Sequence, residues 1–277
     1  MGMFSKLRMS LRAKMLLVVI IPTLVLLVVL GFLATKQINR MLQGKAQVVA
    51  TSFSSGIMSE VRSALDNDLS YARKLSLELS KIQLKSAENL SAPFANVLKA
   101  ELSGQPRYSA LWVFLEEESQ SDAQPMLIRS AYSVAINRSS GEFIEGSRLL
   151  GTDQYLQAYL RTISNNQESI IDPHLQVYDD ANKNYIVSVC SPIKIGTIRG
   201  FVAVDVPVAH FQEAIEREMP YHNTMAQMLS ASGVVIAHSN PLLVGETLYQ
   251  LKPELEVIYN LSDKLMKGLP YAFRWSE

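Results

Sequence analysis

The sequence is poor in cysteine, with Cys190 as the single one among 277 residues. One cysteine excludes an internal disulfide and a cysteine-rich metal site, so a disulfide scaffold is not expected. An excess of charge of one sign is also missing, because 26 basic and 26 acidic residues give a formal net charge of +0. The chain has no basic stripe, and nucleic acid is therefore not an expected partner.

Signatures of catalysis are missing as well. The chain contains no G-x-S-x-G, no Walker loop, no H-E-x-x-H and no cysteine–histidine nucleophile pair. Its four histidines do not have metal-ligand spacing. The sequence therefore predicts a protein that is not an enzyme, with no catalytic residues, no metal site and no cofactor.

One long hydrophobic run is present, MLLVVIIPTLVLLVVLGFLA, at residues 15–34. A helix of about 20 residues spans about 30 Å, the hydrocarbon thickness of a bilayer, and Pro22 is tolerated in a membrane helix. A cleaved signal peptide is the alternative. The run exceeds the usual apolar core of about 7–15 residues, and no A-x-A cleavage pattern follows it. We therefore predict an uncleaved transmembrane helix at residues 15–35.

The residues before this run are basic. Residues 1–14 carry four lysines or arginines and no acid. The rest of the chain therefore has 22 basic and 26 acidic residues. The positive-inside rule predicts that residues 1–14 form a cytoplasmic tail. Because no second run of this length occurs, residues from about 36 onward are expected to be extracytoplasmic, with the lipid bilayer as a partner.

Proline is absent from Thr35 to Ala92, and apolar residues recur there mostly four apart. Steps of four turn the apolar stripe by about 40° each on a helix, so the stripe winds, as in a helix that packs along a partner. We predict helices over residues 36–105: a long helix of roughly 50 residues, then a second one that starts at Pro93 behind Ser91. The long helix is the expected homodimer contact. The stripe consists of Ile38, Leu42, Val49, Phe53, Ile57, Val61, Leu65 and Leu69.

From Ser109 onward the hydrophobic period changes. SALWVFLEEE and PMLIRSAYSVAI predict strands, and YIVSVCSPIKIGTIRGFVAVDVPV at residues 185–208 predicts two strands around a tight connection. GTDQYLQAYLRTISNN predicts a short helix with Thr152 as N-cap. PVAHFQEAIEREM predicts another with Pro207 near its first position. ESIIDPHLQVYDDANKNY mixes short extended pieces with Asp, Asn and Pro and is predicted to be rich in loops.

The C-terminal part repeats this mixture on a smaller scale. NTMAQMLSASGVVIAHS predicts two strands joined at Ser232-Gly233. LKPELEVIYNLSDKLMKG predicts one helix, and YAFRWSE begins a further strand. Helices packed on antiparallel strands give an α+β fold class. We place one module at residues 106–222 and a second, incomplete one at residues 223–277.

The order of these elements and three short motifs resemble a known family. The motifs are Ser191-Pro192-Ile193, Gly200 to Asp205 and Gly233 to His238. Over about residues 36 to 277 the chain resembles the double Cache extracytoplasmic sensor domain of bacterial chemoreceptors and related transmembrane receptors. The resemblance implies tandem PAS-like antiparallel-sheet modules on one long helix, in the bacterial inner membrane. It also implies that the first module is membrane-distal and holds a small ligand, and that the second is membrane-proximal and truncated.

Asp205 is a carboxylate near the end of an almost wholly apolar strand. Alternation predicts that Phe201, Ala203 and Asp205 share one face, while the valines between them pack against helices on the other. A buried charge is costly unless it finds a partner. The resemblance implies that this aspartate holds the amino group of a ligand. The alternatives are a role in starting the helix at Pro207, or a solvated strand end.

At other positions, this chain differs from the members of the family that bind amino acids. The family's R-x-W-Y appears here as Thr152-Asp153-Gln154-Tyr155, so only the tyrosine matches, and the tyrosine expected after proline is His174. Without a guanidinium, bidentate recognition of a ligand carboxylate is lost at this position, with Arg148 or Arg161 as substitutes. A small polar or cationic molecule is therefore the expected ligand, with an organic acid held by another basic residue as the alternative.

The predicted lining of the ligand site is Asp205, Tyr155, His174 and Tyr178. A position in the hydrophobic core is the alternative for Tyr155. Exposed positions in a loop are the alternative for His174 and Tyr178.

The resemblance and the membrane segment together predict the ligand-sensing half of a transmembrane signal receptor, with a methyl-accepting chemotaxis receptor as the first expectation. The sensor input of a membrane diguanylate cyclase or histidine kinase is the alternative within this class. A membrane-anchored helical stalk or scaffold without a small-molecule ligand is the alternative from another class. Cytoplasmic signalling partners are expected to act through a region C-terminal to residue 277.

Overall fold

The chain divides into two units, Met1–Ser55 and Gly56–Glu277. The structure is a computed structural model. It describes residues 11–84, 87, 91–119, 126–146, 155–178, 183–219 and 225–267.

The first unit consists of the N-terminal part of helix α1 (Leu11–Leu79), which continues through Pro22. Next to this proline, the Thr23 hydroxyl donates to the carbonyl oxygens of Val19 and Ile20, both at 2.9 Å. These bonds satisfy the threonine hydroxyl within the helix itself. The apolar segment has a mean hydropathy of 2.3 and none of it is buried within the chain. By length and composition this helix is able to cross a membrane; residues 1–10 of the predicted tail lie outside the described residues.

In the second unit, helix α1 carries a buried stripe with steps of three, four and seven residues, which stays on one helical face. The helix ends at Leu79, where Lys81 and Ile82 donate to the carbonyls of Glu78 and Leu79 at 3.2 and 3.1 Å. These short-range bonds close the last turn. The part of α1 that follows the predicted membrane segment is therefore somewhat shorter than the roughly 50 residues predicted. Helix α2 (Ser91–Ser103) is the predicted second helix, but it begins at Ser91 and not at Pro93. The stripe consists of Ile57, Val61, Asp68, Ala72, Leu75 and Leu79.

A six-stranded antiparallel sheet forms the centre of this unit, in the order β3-β2-β1-β6-β5-β4. Its strands are β1 (Ala110–Ser119), β2 (Met126–Ile136), β3 (Phe143–Gly146), β4 (Ser169–Val177), β5 (Lys183–Ile195) and β6 (Ile198–Pro207). Strand β6 pairs with β1 on one side and with β5 on the other. The α+β class and the paired strands of residues 185–208 are thereby confirmed, and Asp205 lies in a central strand.

Both faces of β6 are covered. Phe201 and Ala203 belong to a buried cluster with Trp112, Phe114 and Tyr159. The tyrosine comes from helix α3 (Leu156–Asn165), which packs on β4, β5 and β6. On the other face, the alternating valines are fully buried opposite apolar residues of β1. The alternation predicted from the sequence is therefore correct.

Three local predictions are wrong. The loop-rich segment forms β4, and Pro173 fits there because β4 is an edge strand whose register shifts between Ile171 and His174. Pro207 ends β6, and helix α4 (Ala209–Glu218) begins after it. Helix α3 has Tyr155 as its N-cap, so the predicted cap Thr152 is too early; Thr152 lies outside the described residues.

The C-terminal part contains a hairpin and short helices. Strands β7 (Gln227–Leu229) and β8 (Val235–His238) form the predicted hairpin, and Gly233 has a φ of 83°, which glycine adopts without strain. The predicted single helix is wrong, because Asn260 with a φ of 47° interrupts it. The helices are α5 (Leu248–Leu251), α6 (Pro253–Tyr259) and α7 (Leu261–Met266). The predicted strand at residues 271–277 lies outside the described residues.

The close packing of β6 against β1 leads to a stability prediction at Gly200. An added Cβ there would lie 1.9 Å from the carbonyl oxygen of Phe114, and backbone cannot move aside cheaply. We expect Gly200→Ala to lower the free energy of unfolding by about 3 kcal/mol, measured by chemical denaturation. Gly146→Ala is the matched control, since nothing lies within 4 Å of its added Cβ. Equal effects of the two substitutions would contradict this packing.

Candidate functional site

Asp205 is fully buried, and among the described residues three side chains donate to its carboxylate. Trp112 Nε1 and Ser188 Oγ donate to Oδ1 at 3.0 and 2.6 Å. Tyr178 Oη donates to Oδ2 at 2.8 Å. The sheet register brings two of these groups together, because Ser188 is the cross-strand partner of Asp205 and Trp112 lies two residues after its partner Ala110. The arrangement compensates a charge that has lost its water.

A second polar group lies behind Ser188. The Tyr159 hydroxyl contacts Ser188 Oγ at 3.0 Å and His174 Nε2 at 3.0 Å. His174 is buried, and its Nδ1 lies 2.8 Å from the carbonyl oxygen of Asp172. We call the side chains of Asp205, Trp112, Ser188, Tyr178, Tyr159 and His174 the polar network. It links β1, β4, β5 and β6 with helix α3.

Aromatic rings surround the polar network. Trp112 meets Tyr159 and Phe201 edge-on with centroids 5.1 Å apart in both pairs, and Tyr159 stacks on Phe201 at 5.5 Å. Tyr155 lies over His174 with centroids 4.7 Å apart. Rings at such separations attract one another and keep the polar groups out of water. The network therefore lies between an aromatic cluster and the end of the sheet.

Ser109 connects this region with helix α1. Its backbone N–H and its hydroxyl donate to the carbonyl oxygen of Asp205 at 3.0 and 3.2 Å, and the hydroxyl lies 3.1 Å from Tyr178 Oη. The preceding residue, Tyr108, donates to the buried Asp68 of α1 at 3.0 Å. Arg107 donates to the same carboxylate at 3.0 Å from Nε and 3.1 Å from Nη2. Burial and the Asp68 charge raise the pKa of the Tyr108 phenol, so it remains a donor at physiological pH.

The structure brings the four predicted lining residues into one neighbourhood. Asp205 and Tyr178 are in direct contact, and Tyr155 lies on His174. Neither alternative for Asp205 holds, because it is fully buried and paired within the sheet, away from the start of α4. The exposed-loop alternative is wrong for His174, which is 4% exposed. Ligand binding by these residues stays a prediction.

Three members of the network were not predicted from the sequence: Trp112, Tyr159 and Ser188. Tyr159 follows Tyr155 by four residues, which places the two on one helical face, and this spacing is a signal that was available. Trp112 and Ser188 depend on the register of β1 and β5 against β6, for which the sequence gives no direct signal.

Two cavities in the described part of the chain lie elsewhere. The larger one, of about 1110 Å³, is lined by Glu116, Arg199 and Gly200 among others, at the opposite end of β6 from Asp205. A smaller one, of about 230 Å³, includes Arg161. Asp205 lines neither cavity, so Arg161 is not placed as the substitute guanidinium beside it. Arg148 and residues 152–154 of the family motif lie outside the described residues.

Chemically, the network offers a buried carboxylate whose described partners, Trp112, Ser188 and Tyr178, are neutral donors. A ligand ammonium group satisfies such a carboxylate better than a neutral hydroxyl does, because charge-assisted hydrogen bonds are about twice as strong. Tyr178, half-buried at the edge of the network, is the most exposed of these three donors. No described group of the network presents a guanidinium or an ammonium to a ligand carboxylate.

Comparison with solved structures identifies the fold. The chain is similar to a methyl-accepting chemotaxis protein X, with a TM-score of 0.58 and 18% identity over 79% of this chain and 81% of that chain. The extracellular domain of a histidine kinase gives a TM-score of 0.56 and 20% identity over 76% of each chain. The periplasmic sensory domain of the Campylobacter jejuni chemoreceptor Tlp1 gives a TM-score of 0.55 and 12% identity, over 78% of this chain and 79% of that chain. No family model and no curated protein sequence matches the chain.

These likenesses show that the chain has the fold of the extracytoplasmic sensory domains of chemoreceptors and histidine kinases. The fold implied by the double Cache resemblance is therefore confirmed. The module boundaries at residues 106–222 and 223–277 stay predictions.

The network leads to a stability prediction at Ser188. Ser188→Ala removes a donor from the buried Asp205 carboxylate and a partner from Tyr159, so we expect a loss of about 1–3 kcal/mol in the free energy of unfolding. Ser133→Ala is the control, because its bond to the Gly146 carbonyl is exposed and should be worth less than about 0.5 kcal/mol. Chemical denaturation of both variants checks this. A Ser188 variant as stable as the control would show that the network contributes nothing.

Proposed function

We propose that this chain is the extracytoplasmic ligand-sensing half of a transmembrane signal receptor, and that it binds a small polar or cationic molecule at Asp205. The observation that carries the proposal is the fully buried Asp205 carboxylate in a sensory-domain fold. A buried carboxylate held in a polar network is a candidate binding site. Replacement of such a charge by an apolar residue is often neutral or stabilising, so stability alone does not explain its presence.

The mechanism follows from differential affinity. A cationic ligand at Asp205 displaces the Tyr178 hydroxyl and so favours an arrangement in which Ser109 and Tyr178 are repositioned. Ser109 is followed by β1 and preceded by Tyr108, which holds Asp68 of helix α1. The ligand shifts the population of the two arrangements by its difference in affinity for them. Since Asp68 and the apolar segment belong to one helix, we propose that α1 is the output element.

A methyl-accepting chemotaxis receptor is the first candidate for the whole protein. The sensor input of a histidine kinase is the second, and the observation that favours it is the shared fold with a kinase extracellular domain at a TM-score of 0.56. For both candidates we propose a homodimer that forms through the long helix. Both would also act on cytoplasmic signalling partners. The coding sequence of the gene distinguishes them, since a kinase motif and a long charged heptad hairpin are different signatures.

Ligand binding is tested by thermal shift with a panel of primary amines, quaternary amines, amino acids and organic acids. A binding compound should stabilise the chain by about 2.7 kcal/mol at a hundredfold excess over its dissociation constant. Asp205→Asn should abolish the shift given by a cation. Glu213→Gln, which changes an exposed carboxylate on α4, should retain it. Equal shifts in both variants would move the site away from Asp205, and no shift with any compound would favour the scaffold alternative.

Membrane orientation is tested by cysteine labelling. Cys190 is buried, so the background reaction with a membrane-impermeant maleimide should be low. Ser103→Cys, at an exposed position of α2, should be labelled in intact spheroplasts. Ser5→Cys, within the basic tail, should be labelled only after lysis. The reverse pattern would contradict the proposed orientation, and labelling of both in soluble extracts would contradict the anchor.

A further inference from the structure

A chain of hydrogen bonds joins the two ends of the polar network. It runs from the Asp172 carbonyl oxygen to His174 Nδ1 at 2.8 Å, and from His174 Nε2 to the Tyr159 hydroxyl at 3.0 Å. It continues from Tyr159 to Ser188 Oγ at 3.0 Å and from Ser188 to Asp205 Oδ1 at 2.6 Å. These four contacts are within normal hydrogen-bond distance. Each needs one hydrogen atom.

The hydrogens can be counted. A carbonyl oxygen and an ionised carboxylate only accept, so both ends of the chain must receive a hydrogen from within. Ser188 and Tyr159 supply one hydrogen each. A neutral His174 supplies one more, which makes three hydrogens for four contacts. An imidazolium at His174 supplies two, and all four contacts are then satisfied.

A protonated Asp205 with a neutral His174 would also supply four hydrogens, in the reverse direction. The total number of protons is the same in both arrangements. Trp112 Nε1–H and the Tyr178 hydroxyl donate to Asp205 in either arrangement, and hydrogen bonds to a carboxylate favour its ionised form. In the structure Tyr159 donates to Ser188 and Ser188 donates to Asp205, which is the direction that an ionised Asp205 requires. The arrangement with a cationic His174 and an anionic Asp205 therefore fits all the observed contacts.

The groups facing His174 agree with a positive charge there. Tyr155 and Tyr159 face it from helix α3, and Ser188 and Asp205 lie beyond Tyr159 on β5 and β6. On its own strand, Asp172 is two residues away, and its carboxylate accepts from Ser232 of the β7–β8 connection. Tyr178, at the end of β4, contacts the far side of Asp205. Among the described residues of this neighbourhood, Asp172 and Asp205 carry carboxylates, and nearby carboxylates favour a cation.

We propose that His174 is the internal cation of this site: a protonated imidazole that balances Asp205 through the Tyr159 and Ser188 hydroxyls. This proposal rests on the proposed function, in which a ligand binds at Asp205. A cationic ligand at Asp205 takes over the role of this proton, so ligand binding releases a proton from His174. Affinity for a cationic ligand then rises with pH, and the empty, closed site is favoured by acid.

The test needs no ligand. The full chain in detergent micelles, labelled with ¹⁵N-histidine, is studied at about pH 7.5, one unit above the ordinary histidine value, and His174→Gln assigns the signal. Ring-nitrogen shifts should show two protonated nitrogens in His174. His238 is the internal control, because its Nδ1 accepts the Asn240 N–H at 2.8 Å, so it should show at most one protonated nitrogen.

Variants locate the cause. Ser188→Ala cuts the chain and lets Tyr159 donate to His174, so His174 should become neutral at the same pH. Ser191→Ala, on the same strand but outside the four contacts, should leave it cationic. A neutral His174 in the unmodified chain overturns the proposal, whatever the variants do. Because no ligand is present, a failed ligand screen and a failed protonation measurement are separate results.

Discussion

The burial of one carboxylate in the middle of a sheet constrains the rest of this structure. Moving an ionised Asp205 out of water costs several kcal/mol. The fold offsets this with hydrogen bonds from Trp112, Ser188 and Tyr178, each worth roughly 1.5–3 kcal/mol because the acceptor is charged. These donors come from β1, from β5 and from the end of β4. The pairing of β6 with β1 and β5 thus brings donors of neighbouring strands to a single carboxylate.

The same constraint gives the proposed site its capacity to respond. A carboxylate held by neutral donors is satisfied but not neutralised within its immediate contacts, so a ligand cation has an energetic advantage over the Tyr178 hydroxyl. Replacing that hydroxyl changes the surroundings of Ser109, and through Tyr108 those of Asp68 on helix α1. In the proposed mechanism, the exchange of one donor at Asp205 therefore acts on helix α1 at Asp68.

Much of this architecture could be predicted from the sequence. Strict alternation in β6 correctly separated Asp205 from the valines, and the uninterrupted apolar run indicated the N-terminal helix. The edge strand β4 was missed because Pro173 and the neighbouring Asp and Asn residues are typical of loops, and only pairing with β5 makes it a strand. The break at Asn260 was missed because a left-handed residue within a helical pattern has no strong sequence signal. Trp112 and Ser188 could not be found, since cross-strand register is decided by the assembled sheet.

The central claim is that Asp205 receives the cationic group of a ligand. A crystal structure of the chain with a cation found by thermal-shift screening tests it most directly. The account predicts a ligand nitrogen within about 2.7–3.1 Å of an Asp205 carboxylate oxygen, with Tyr178 Oη displaced from it. A ligand in the cavity beside Glu116, with Trp112, Ser188 and Tyr178 still bound to Asp205, would contradict it.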